Sequence, residues 1–498
     1  MARERGRPES MPVRTSGWTA VKLTTITAGD SIILSSMKNE FTVLDRRLHL
    51  AVALLVTLAV AGCEDLKRVV WSPDGQRAAI LAEEGLFFCD ASGKLTGPLA
   101  SNVVFVAWFP DSQRIVFARN IDFRSWGELA PALTPTSRAA ISRIGDALLE
   151  DLKAGRAWAE AGAAAKQRGG LNEDQLKAVL LYSRDRDPAA AAHAAGNDAN
   201  KLSDLSASWR SLQIGRLTDS KLDSGPPLLA GLEPRLLDAR VSPGATAILI
   251  ATEDEHGANL SALPTEGTPT SRPIEQTAAA YADWSPDGRS IVYLRGVGPD
   301  AGNDQPRLAI LTRRQILNES GQIELQAQGE DLANLLFNPL GKVRCLKDGR
   351  ILFAAAEITL PSTSVDVSQR QQLFELEPGK RATLAPRIPR GTLGNLPEDL
   401  SHFEVSPDEK RVSFVSEKGA VTILSLGTGQ VEVAQSAPGG EDDVKTIPVW
   451  RSAEELCFIA PPQPEHGEKK AEVVLWQNGK ARALSHDWPA SVRNGLLD

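Results

Sequence analysis

The sequence predicts an all-β protein, a seven-bladed β-propeller that carries an α-helical insertion in blade two. Three observations lead to this fold class. A short turn phrase of the form Trp-Ser-Pro-Asp-Gly recurs along the 498-residue chain. A short apolar stretch typical of a strand follows each copy, and one segment of helical periodicity interrupts the regular spacing of the copies.

The turn phrase predicts a hairpin turn wherever it occurs. Proline at the second turn position fixes φ, aspartate bonds back to the backbone, and glycine accepts positive φ where the next strand begins. The residue before the turn lies on the incoming strand, and an aromatic side chain there is expected to pack between neighbouring sheets. Aligned on this residue, seven copies occur, at Trp71, Trp108, Val241, Trp284, Cys345, Val405 and Trp450.

Further strands follow each turn phrase. In the first repeat they are predicted within 78–81, 85–93 and 94–100, and the second of these segments closes on a glycine turn. Four-stranded sheets repeated six to eight times close into a propeller, because neighbouring blades cover one another's faces. Seven copies predict seven blades. The copies at Cys345 and Trp450 depart from the turn phrase, so six or eight blades remain as alternatives.

The repeat resembles the TolB-type, WD-like propeller repeat of bacterial envelope proteins. The resemblance rests on the set of turn phrase, apolar strand and glycine turn, and it covers residues 67 to about 486 apart from the insertion. It implies a non-enzymatic module that binds another envelope protein or a cell-wall component.

The insertion is predicted over residues 124–208. The second and third turn phrases lie 133 residues apart, whereas the other intervals are 37 to 61 residues. A first helix is predicted after Thr134-Pro135, since Ile141, Ile144, Leu148 and Leu152 recur along one face.

Two further helices are predicted inside the insertion. Asn172 with Gln175 forms a capping box, and an alanine-rich helix begins at Pro188. We place this helical subdomain between the second and third strands of blade two. Two roles stay open for it: a bundle that covers propeller surface, or a docking element or lid over the central channel.

The N-terminal segment predicts export. All three methionines lie within the first 37 residues, which makes residues 1–36 a doubtful upstream extension of a chain that starts at Met37. Basic residues precede the uncharged run 50–62, whose 13 residues are fewer than the about 20 needed to span a bilayer. Residues 37–62 are therefore predicted to be a signal peptide.

The signal peptide ends in Val60-Ala61-Gly62-Cys63, which resembles the lipobox of bacterial lipoproteins. The resemblance implies that Cys63 is the lipid-attachment residue, so that residues 63–498 form an extracytoplasmic, membrane-anchored propeller of the cell envelope. The alternatives are an ordinary cleaved signal, with Cys63 removed or unmodified, and a retained N-terminal anchor.

The two ends of the ring are expected to differ. The seven repeat turns share one end, the turn face. The helical insertion shares the opposite end, the insertion face, with the long segments 296–306, 357–369, 387–400 and 461–470. We expect any site on the insertion face. The first strand starts there near Lys67, and a four-residue tether from Cys63 reaches roughly 13 Å, so this face should lie close to the membrane.

Composition and motifs exclude several classes of function. Residues beyond 62 carry a net charge of about −11, which argues against a nucleic-acid groove. Neither a Gly-x-Ser-x-Gly motif nor a phosphate-binding glycine loop occurs, and the six histidines lack metal-ligand spacing. We predict no catalytic residue, cofactor or metal. The acidic segments 252–257 and 439–443 are expected to be solvated.

Cysteines and tryptophans leave two questions open. Cys89, Cys345 and Cys457 lie in predicted strands, and we expect buried free thiols; a Cys89–Cys457 disulfide at ring closure is the alternative. Trp476 and Trp488 belong neither to the turn phrases nor to the insertion, so either could be a sugar-stacking platform.

Two hypotheses about function follow. The first is a lipid-anchored, non-enzymatic module that binds an envelope protein or cell-wall component. The alternative is a glycan- or peptide-binding propeller, possibly an enzyme, with its site at the central channel. A cluster of carboxylates or histidines converging at the channel mouth would favour the alternative. An apolar channel with an exposed hydrophobic patch on the helices would favour the first.

Overall fold

The computed structural model describes fifteen stretches of the chain. They are residues 67–196, 199–218, 221–231, 235–254, 257–267, 270–278, 281–296, 307–337, 342–356, 371–377, 385–386, 403–415, 419–435, 447–460 and 471–496. The predictions for residues 1–36, for the signal peptide 37–62 and for Cys63 lie outside them. So do those for 439–443, for three of the four long segments of the insertion face, and for most of the fourth, 296–306.

The described strands form seven antiparallel blades of four strands each, which pair in chain order within a blade. Blades one, two, six and seven are separate sheets, whereas single pairs at Ala278–Arg295 and Leu336–Ala356 join blades three, four and five into one sheet. Blade one contains β1 Val69–Trp71, β2 Arg77–Ala82, β3 Gly85–Asp90 and β4 Leu95–Ala100. Blade two contains β5 Val103–Trp108, β6 Arg114–Phe123, β7 Ala207–Leu217 and β8 Leu222–Gly231. Blade three contains β9 Arg235–Val241, β10 Ala247–Asp254, β11 Gly257–Pro264 and β12 Arg272–Ala278.

The remaining four blades repeat this order. Blade four contains β13 Asp283–Trp284, β14 Ser290–Gly296, β15 Arg307–Gln315 and β16 Glu330–Phe337. Blade five contains β17 Val343–Cys345, β18 Ile351–Ala356, β19 Gln371–Leu376 and β20 Ala385–Pro386. Blade six contains β21 Phe403–Val405, β22 Arg411–Val415, β23 Val421–Ser425 and β24 Val431–Gln435. Blade seven contains β25 Val449–Trp450, β26 Leu456–Ala460, β27 Glu472–Gln477 and β28 Lys480–Ala483.

All seven predicted anchors occupy equivalent positions. Each is the last residue of the first strand of its blade, including the worn copies at Cys345 and Trp450. The predicted count of seven blades is therefore confirmed.

The repeat turn forms the bonds that its residues predict. In blade one the Ser72 backbone N–H donates to the Arg77 carbonyl (2.8 Å), and the Ser72 hydroxyl donates to Asp74 Oδ1 (2.6 Å). Gly75 has φ of 67°, and Ala245 holds φ of 58° at the equivalent turn position of blade three. The turn geometry is thus retained where glycine is replaced, although an L-residue is less favourable at positive φ.

Each pair of neighbouring blades shares a hydrophobic cluster, and seven such clusters run round the ring. The cluster between blades seven and one contains Trp71, Cys89 and Cys457 and closes the ring. Burying a large apolar side chain contributes about 1.5–3 kcal/mol, so these interfaces are the main stabilising contacts of the fold.

Three of the anchor tryptophans donate hydrogen bonds between blades, in addition to the packing predicted for them. Trp108 Nε1 donates to the Val70 carbonyl (2.8 Å), Trp284 Nε1 to Arg240 (3.1 Å) and Trp450 Nε1 to Glu404 (3.1 Å). In each pair the acceptor is the residue before an anchor of the preceding blade. These tryptophans thus tie the inner strand of one blade to that of the next.

The seam between blades seven and one is closed differently. Trp71 Nε1 is buried and, among the described residues, has no carbonyl acceptor of the kind that the other three anchor tryptophans use. The C-terminal segment crosses the seam instead: Trp488 Nε1 donates to the Gly93 carbonyl (2.7 Å), and the Glu83 backbone N–H donates to Gly495 (3.3 Å). Val492, in the short helix Ala490–Asn494, is buried in the same core.

The helical insertion lies inside blade two, between β6 and β7, as predicted. Six helices precede the C-terminal one in the described part of the chain: α1 Trp126–Leu129, α2 Pro135–Lys153, α3 Trp158–Gly169, α4 Glu173–Arg186, α5 Pro188–Ala195 and α6 Ala199–Ser203. The C-terminal helix Ala490–Asn494 is α7.

The predicted helix starts are confirmed by their caps. The Thr134 side chain accepts from the Ser137 backbone N–H at the start of α2. The Asn172–Gln175 capping box is complete at the start of α4. We did not predict α3, because Ala157 offers no side-chain cap and the helix buries mainly small residues, such as Ala161 and Ala165.

The insertion has a hydrophobic core of its own. Leu148, Val179 and Tyr182 pack together there with Trp209 of β7. The Tyr182 hydroxyl donates to Asp146 Oδ1 (2.6 Å), and the Trp126 ring meets the Tyr182 ring edge to face (centroids 5.1 Å apart). Trp209 thereby links this core to the sheet of blade two.

Replacing Trp488 with alanine should lower the free energy of unfolding by about 3 kcal/mol, as expected when a large buried aromatic side chain is removed. The change removes both the packing at the seam and the bond to Gly93. Urea unfolding followed by tryptophan fluorescence measures the effect. Val433→Ala on β24, where the side chain is exposed, is the control and should leave stability unchanged. Equal midpoints for the two variants would contradict the assignment of Trp488 to ring closure.

Candidate functional site

The first strands of the blades bring seven charged side chains together, which we call the inner-strand charge cluster. Its members come from blades one, three, four, five and six. They are Lys67, Asp238, Arg240, Asp283, Lys342, Arg344 and Glu404.

The position of four members follows from the repeat. Arg240, Asp283, Arg344 and Glu404 each precede the anchor of their blade. Alternate residues of a strand face opposite sides, so the anchor enters an interblade core while the preceding side chain points away from it. Consecutive blades three to six supply Arg, Asp, Arg and Glu, and charges of opposite sign therefore meet at each step.

The ion pairs form a continuous chain between blades three and six. Arg240 Nη1 donates to Asp283 Oδ1 (3.1 Å), and Arg240 Nε donates to Asp238 Oδ2 (2.7 Å). Arg344 bridges the next two blades: Nη1 lies 3.6 Å from Asp283 Oδ1, and Nη2 donates to Glu404 Oε2 (3.1 Å). Asp238 and Asp283 also hold the pKa of Arg240 above its usual value, although burial opposes them.

Glu404 is the point where three cations converge. Lys342 Nζ and Lys67 Nζ both contact Oε1, and Arg344 holds Oε2. Glu404 and Lys342 are buried, whereas the Lys67 side chain is 33% exposed. Lys67 precedes β1 of blade one, and it reaches past blade seven to blade six.

The surroundings fix the protonation of Glu404. Burial by itself would raise the pKa of this carboxyl, but Lys342, Lys67 and Arg344 outweigh burial and hold the pKa well below its usual range. Burial lowers the pKa of Lys342, and Glu404 opposes that effect. Glu404 therefore stays ionised near neutral pH and is unsuited to donate or accept a proton.

Sequence reasoning did not find this cluster. The only signal is a charged residue directly before four consecutive anchors, and those anchors lie 43 to 61 residues apart in the chain. No local motif results, because each blade contributes one or two charges and only the ring brings them into contact.

The cysteines are free thiols, as expected, in the part of the chain that the structure describes. Cys89 of β3 and Cys457 of β26 share the core between blades one and seven, and Cys345 ends β17. Burial raises the pKa of Cys89 and of Cys457 to about 12 each. The suggested disulfide between them is not formed.

The other candidate groups do not form a site with one another. Trp476 and Trp488 are buried in interblade cores, so neither is a sugar-stacking platform. The acidic segment 252–257 lies at the β10–β11 hairpin, where Asp254 pairs with Gly257. Among the described residues, no group of three His, Cys, Asp or Glu side chains is placed to hold a metal ion.

A separate polar cavity of about 370 Å³ lies between blades three and four. The Tyr293 hydroxyl donates to Glu275 Oε2 (3.1 Å), and Arg295 pairs with Asp331 (3.3 Å) on the cavity wall. Burial raises the pKa of Tyr293 to about 12, and Glu275 adds to this shift. The cavity wall carries two carboxylates, on Glu275 and Asp331, and two guanidinium groups, on Arg295 and Arg314. Their formal charges cancel.

Fold and site together define a seven-bladed β-propeller whose inner strands hold a network of ion pairs. No known protein family and no curated protein matches the chain. Solved structures that it resembles include TolB from Acinetobacter baumannii, with 13% identity and a TM-score of 0.36, over 54% of this chain and 57% of the TolB chain.

Two further solved structures are similar to the chain. The β-propeller domain of the trilobed protease from Pyrococcus furiosus has 10% identity and a TM-score of 0.40, over 83% of this chain and 95% of that domain. The tricorn protease has 9% identity and a TM-score of 0.42, over 84% of this chain and 35% of its own. At these identities the likeness concerns the fold alone, and at that level the expected resemblance to TolB-type propellers is confirmed.

Replacing Glu404 with glutamine should lower the free energy of unfolding by about 3 kcal/mol near neutral pH, because buried cations lose their counter-charge. Glu432→Gln on the exposed face of β24 is the matched control, with an expected effect within about 0.5 kcal/mol. The pKa of Glu404 is lowered in the folded state, so its contribution is complete above roughly pH 4.3 and is lost as the pH falls. Urea unfolding at several pH values tests this; a difference that persists unchanged into acid would contradict it.

Alkylation of the cysteines should be slow in the folded protein at mildly alkaline pH, because thiols with raised pKa values stay protonated and these thiols are buried or, at Cys345, partly buried. Iodoacetamide labelling read by mass spectrometry measures the rate at Cys89, Cys345 and Cys457. Labelling in urea without reductant is the control and should be rapid at all three. Rapid labelling of the folded chain, or no labelling of Cys89 and Cys457 in urea, would refute the free buried thiols.

Proposed function

We propose that this chain is an exported, lipid-anchored β-propeller that acts as a non-enzymatic binding module of the bacterial cell envelope. The observation that carries the non-enzymatic part is the pairing of every carboxylate in the inner-strand charge cluster with a basic side chain. Each of its carboxylates, on Asp238, Asp283 and Glu404, contacts at least one cation. General acid–base catalysis needs a group with a pKa near the working pH, and Glu404 is held far below it.

The anchored location rests on the sequence. The basic segment, the apolar run and the residues 60–63 match the order of a lipoprotein signal, and acyl chains on Cys63 would hold the protein on a membrane. None of the described helices is both long enough and apolar enough to cross a membrane.

The insertion face is the proposed docking surface. Blade two leaves the ring through β6 and returns through β7, at the end opposite the repeat turns, and the helical subdomain is built there. Its own core gives it a fixed shape, and loops on a rigid scaffold often carry binding residues. A partner at this face would meet both the helices and the mouth of the ring.

A second candidate function is binding of a glycan or peptide at the central channel, possibly with catalysis. The convergence of seven charged side chains on the inner strands favours it over a featureless channel. Binding to fixed charges is compatible with the first proposal, whereas catalysis would need a reactive group in addition to the ion pairs.

The test compares partners cross-linked in intact cells to the full chain and to a variant without the insertion. Phe123 pairs directly with Ala207, so an Asn-Gly turn in place of residues 124–206 would close the β6–β7 hairpin. We expect the variant to fold and to lose its cross-linked envelope partners. An unchanged set of partners would refute docking on the insertion.

A second arm tests the anchor. Cys63→Ser should move the protein from the membrane to the soluble extracytoplasmic fraction, because no thiol remains to be acylated. Cys457→Ser, at a buried thiol of the ring, is the control and should leave the protein on the membrane. A Cys63→Ser chain that stays on the membrane would refute the lipid anchor.

A further inference from the structure

The cavity between blades three and four is lined almost entirely by polar side chains. Its wall comes from β12, β14, β15 and β16 and from the segment that precedes β16. None of these is the first strand of a blade, so the cavity lies apart from the inner-strand charge cluster. Among the described residues that line it, only Ala327 and Gly329 lack a polar side chain.

Blade four departs from the repeat at a position that builds this cavity. On the second strand of each blade one residue pairs with the anchor, and in blade four this residue is Ile291. The residue two places further along is Tyr293, whose hydroxyl lies at the cavity. The other six blades have an apolar residue at this place: Ile80, Phe117, Ile250, Phe353, Phe414 and Phe458.

A second position of blade four differs in the same way. The third-strand residue that pairs with Ile291 is Arg314. The other six blades have no charged residue at this place; they have Cys89, Gly215, Leu263, Leu376, Leu424 and Trp476. A hydroxyl and a guanidinium in place of apolar side chains need hydrogen-bond partners when they are withdrawn from water. Two such departures in one blade indicate that the polar cavity is a built feature of blade four.

The inner part of the cavity is held in place by hydrogen bonds between the two blades. Tyr293 is only 1% exposed, and its hydroxyl donates to Glu275 Oε2 of blade three (3.1 Å). Arg314 Nε donates to the Gln326 carbonyl (2.8 Å), and Nη1 donates to the Ile274 carbonyl of blade three. These bonds fix the wall before a ligand arrives, which lowers the entropy cost of binding.

The outer part of the cavity is accessible from solvent. The side chains of Arg295 and Asp331 are 36% and 55% exposed. Arg295 Nη2 donates to Asp331 Oδ1 at 3.3 Å, which is longer than the about 2.8 Å of a strong charged hydrogen bond. Both groups therefore retain capacity for a further partner, and they present a donor and an acceptor side by side.

We infer that this cavity binds a neutral sugar unit of a glycan through its hydroxyl groups. A hydroxyl both donates and accepts hydrogen bonds. Neighbouring hydroxyls of a sugar can therefore donate to the carboxylates of Glu275 and Asp331 and accept from the guanidinium of Arg295. The volume of about 370 Å³ lies within the range of small-molecule sites.

The composition of the wall selects this class of ligand. The formal charges of the lining residues cancel, so an ion has no advantage, and the polar lining gives none to an apolar molecule. A peptide backbone offers one donor and one acceptor per residue, whereas a sugar ring carries several hydroxyls in a compact volume. The inference goes beyond the proposed docking surface, because no residue of the insertion 124–208 lines the cavity.

The experiment is saturation-transfer NMR on the full chain, purified in a detergent that has no sugar headgroup. The probes are glucose, galactose, mannose and N-acetylglucosamine, each tested separately. Tetrahydropyran, the ring without its hydroxyls, is the control ligand, and acetylated, amidated triglycine is the peptide probe. We expect at least one sugar to receive saturation and tetrahydropyran to receive none. Binding of the peptide in place of every sugar, or of none of the probes, would overturn the inference.

Variants locate the binding in the cavity. Asp331→Ala and Arg295→Ala should each weaken the affinity for the bound sugar at least about tenfold, the loss expected for one charge-assisted hydrogen bond. Both side chains are partly exposed, so we expect these variants to fold, and their unfolding midpoints are compared first. Arg289→Ala and Glu319→Ala are the matched controls. They remove an exposed ion pair of the same blade outside the cavity and should leave the affinity unchanged.

Wild-type affinity in both Asp331→Ala and Arg295→Ala would overturn the inference, because the sugar would then bind elsewhere, for example at the central channel. The variant without residues 124–206 should bind the sugar as the full chain does. Loss of its cross-linked partners and loss of sugar binding are therefore separate results, and failure of the sugar site can be told apart from failure of the proposed docking surface.

Discussion

Each four-stranded sheet of this protein can bury its faces only against the sheets beside it, and the rest of the structure depends on that constraint. No blade has a core of its own, since the hydrophobic clusters of the ring lie between blades. The ring must therefore close for any blade to be stable. At three interfaces an anchor tryptophan bonds to the preceding inner strand, whereas Trp71 has no such bond and the C-terminal segment with Trp488 takes its place.

Closure of the ring also creates the charged site. The same alternation that sends Trp284 into an interblade core turns Asp283 away from it, toward Arg240 and Arg344 of its neighbours. Interblade packing and the ion-pair network thus use alternate residues of one strand. Ion pairs of this kind do not add much stability relative to apolar packing, but they are costly to break.

The helical insertion is accommodated without interrupting the sheet of blade two. β6 and β7 are paired along their whole length, from Arg114–Arg216 to Phe123–Ala207, so the sheet of blade two is continuous below the helices. The subdomain has its own core and is joined to the blade through Trp209. A helical unit of this kind can change in sequence without affecting the closure of the ring, which is why we propose it as the docking element.

The sequence by itself determined the repeat turns, the end of each first strand, the location of the insertion and the caps at Thr134 and Asn172. These features depend on residues a few positions apart, whose local chemistry fixes φ, ψ and backbone hydrogen bonds. Only the tertiary structure decided the ion pairs of Glu404, the free thiols of Cys89 and Cys457, and the seam closed by Trp488. Each of these depends on residues from different blades, and their distance in space follows from closing the ring rather than from their spacing along the chain.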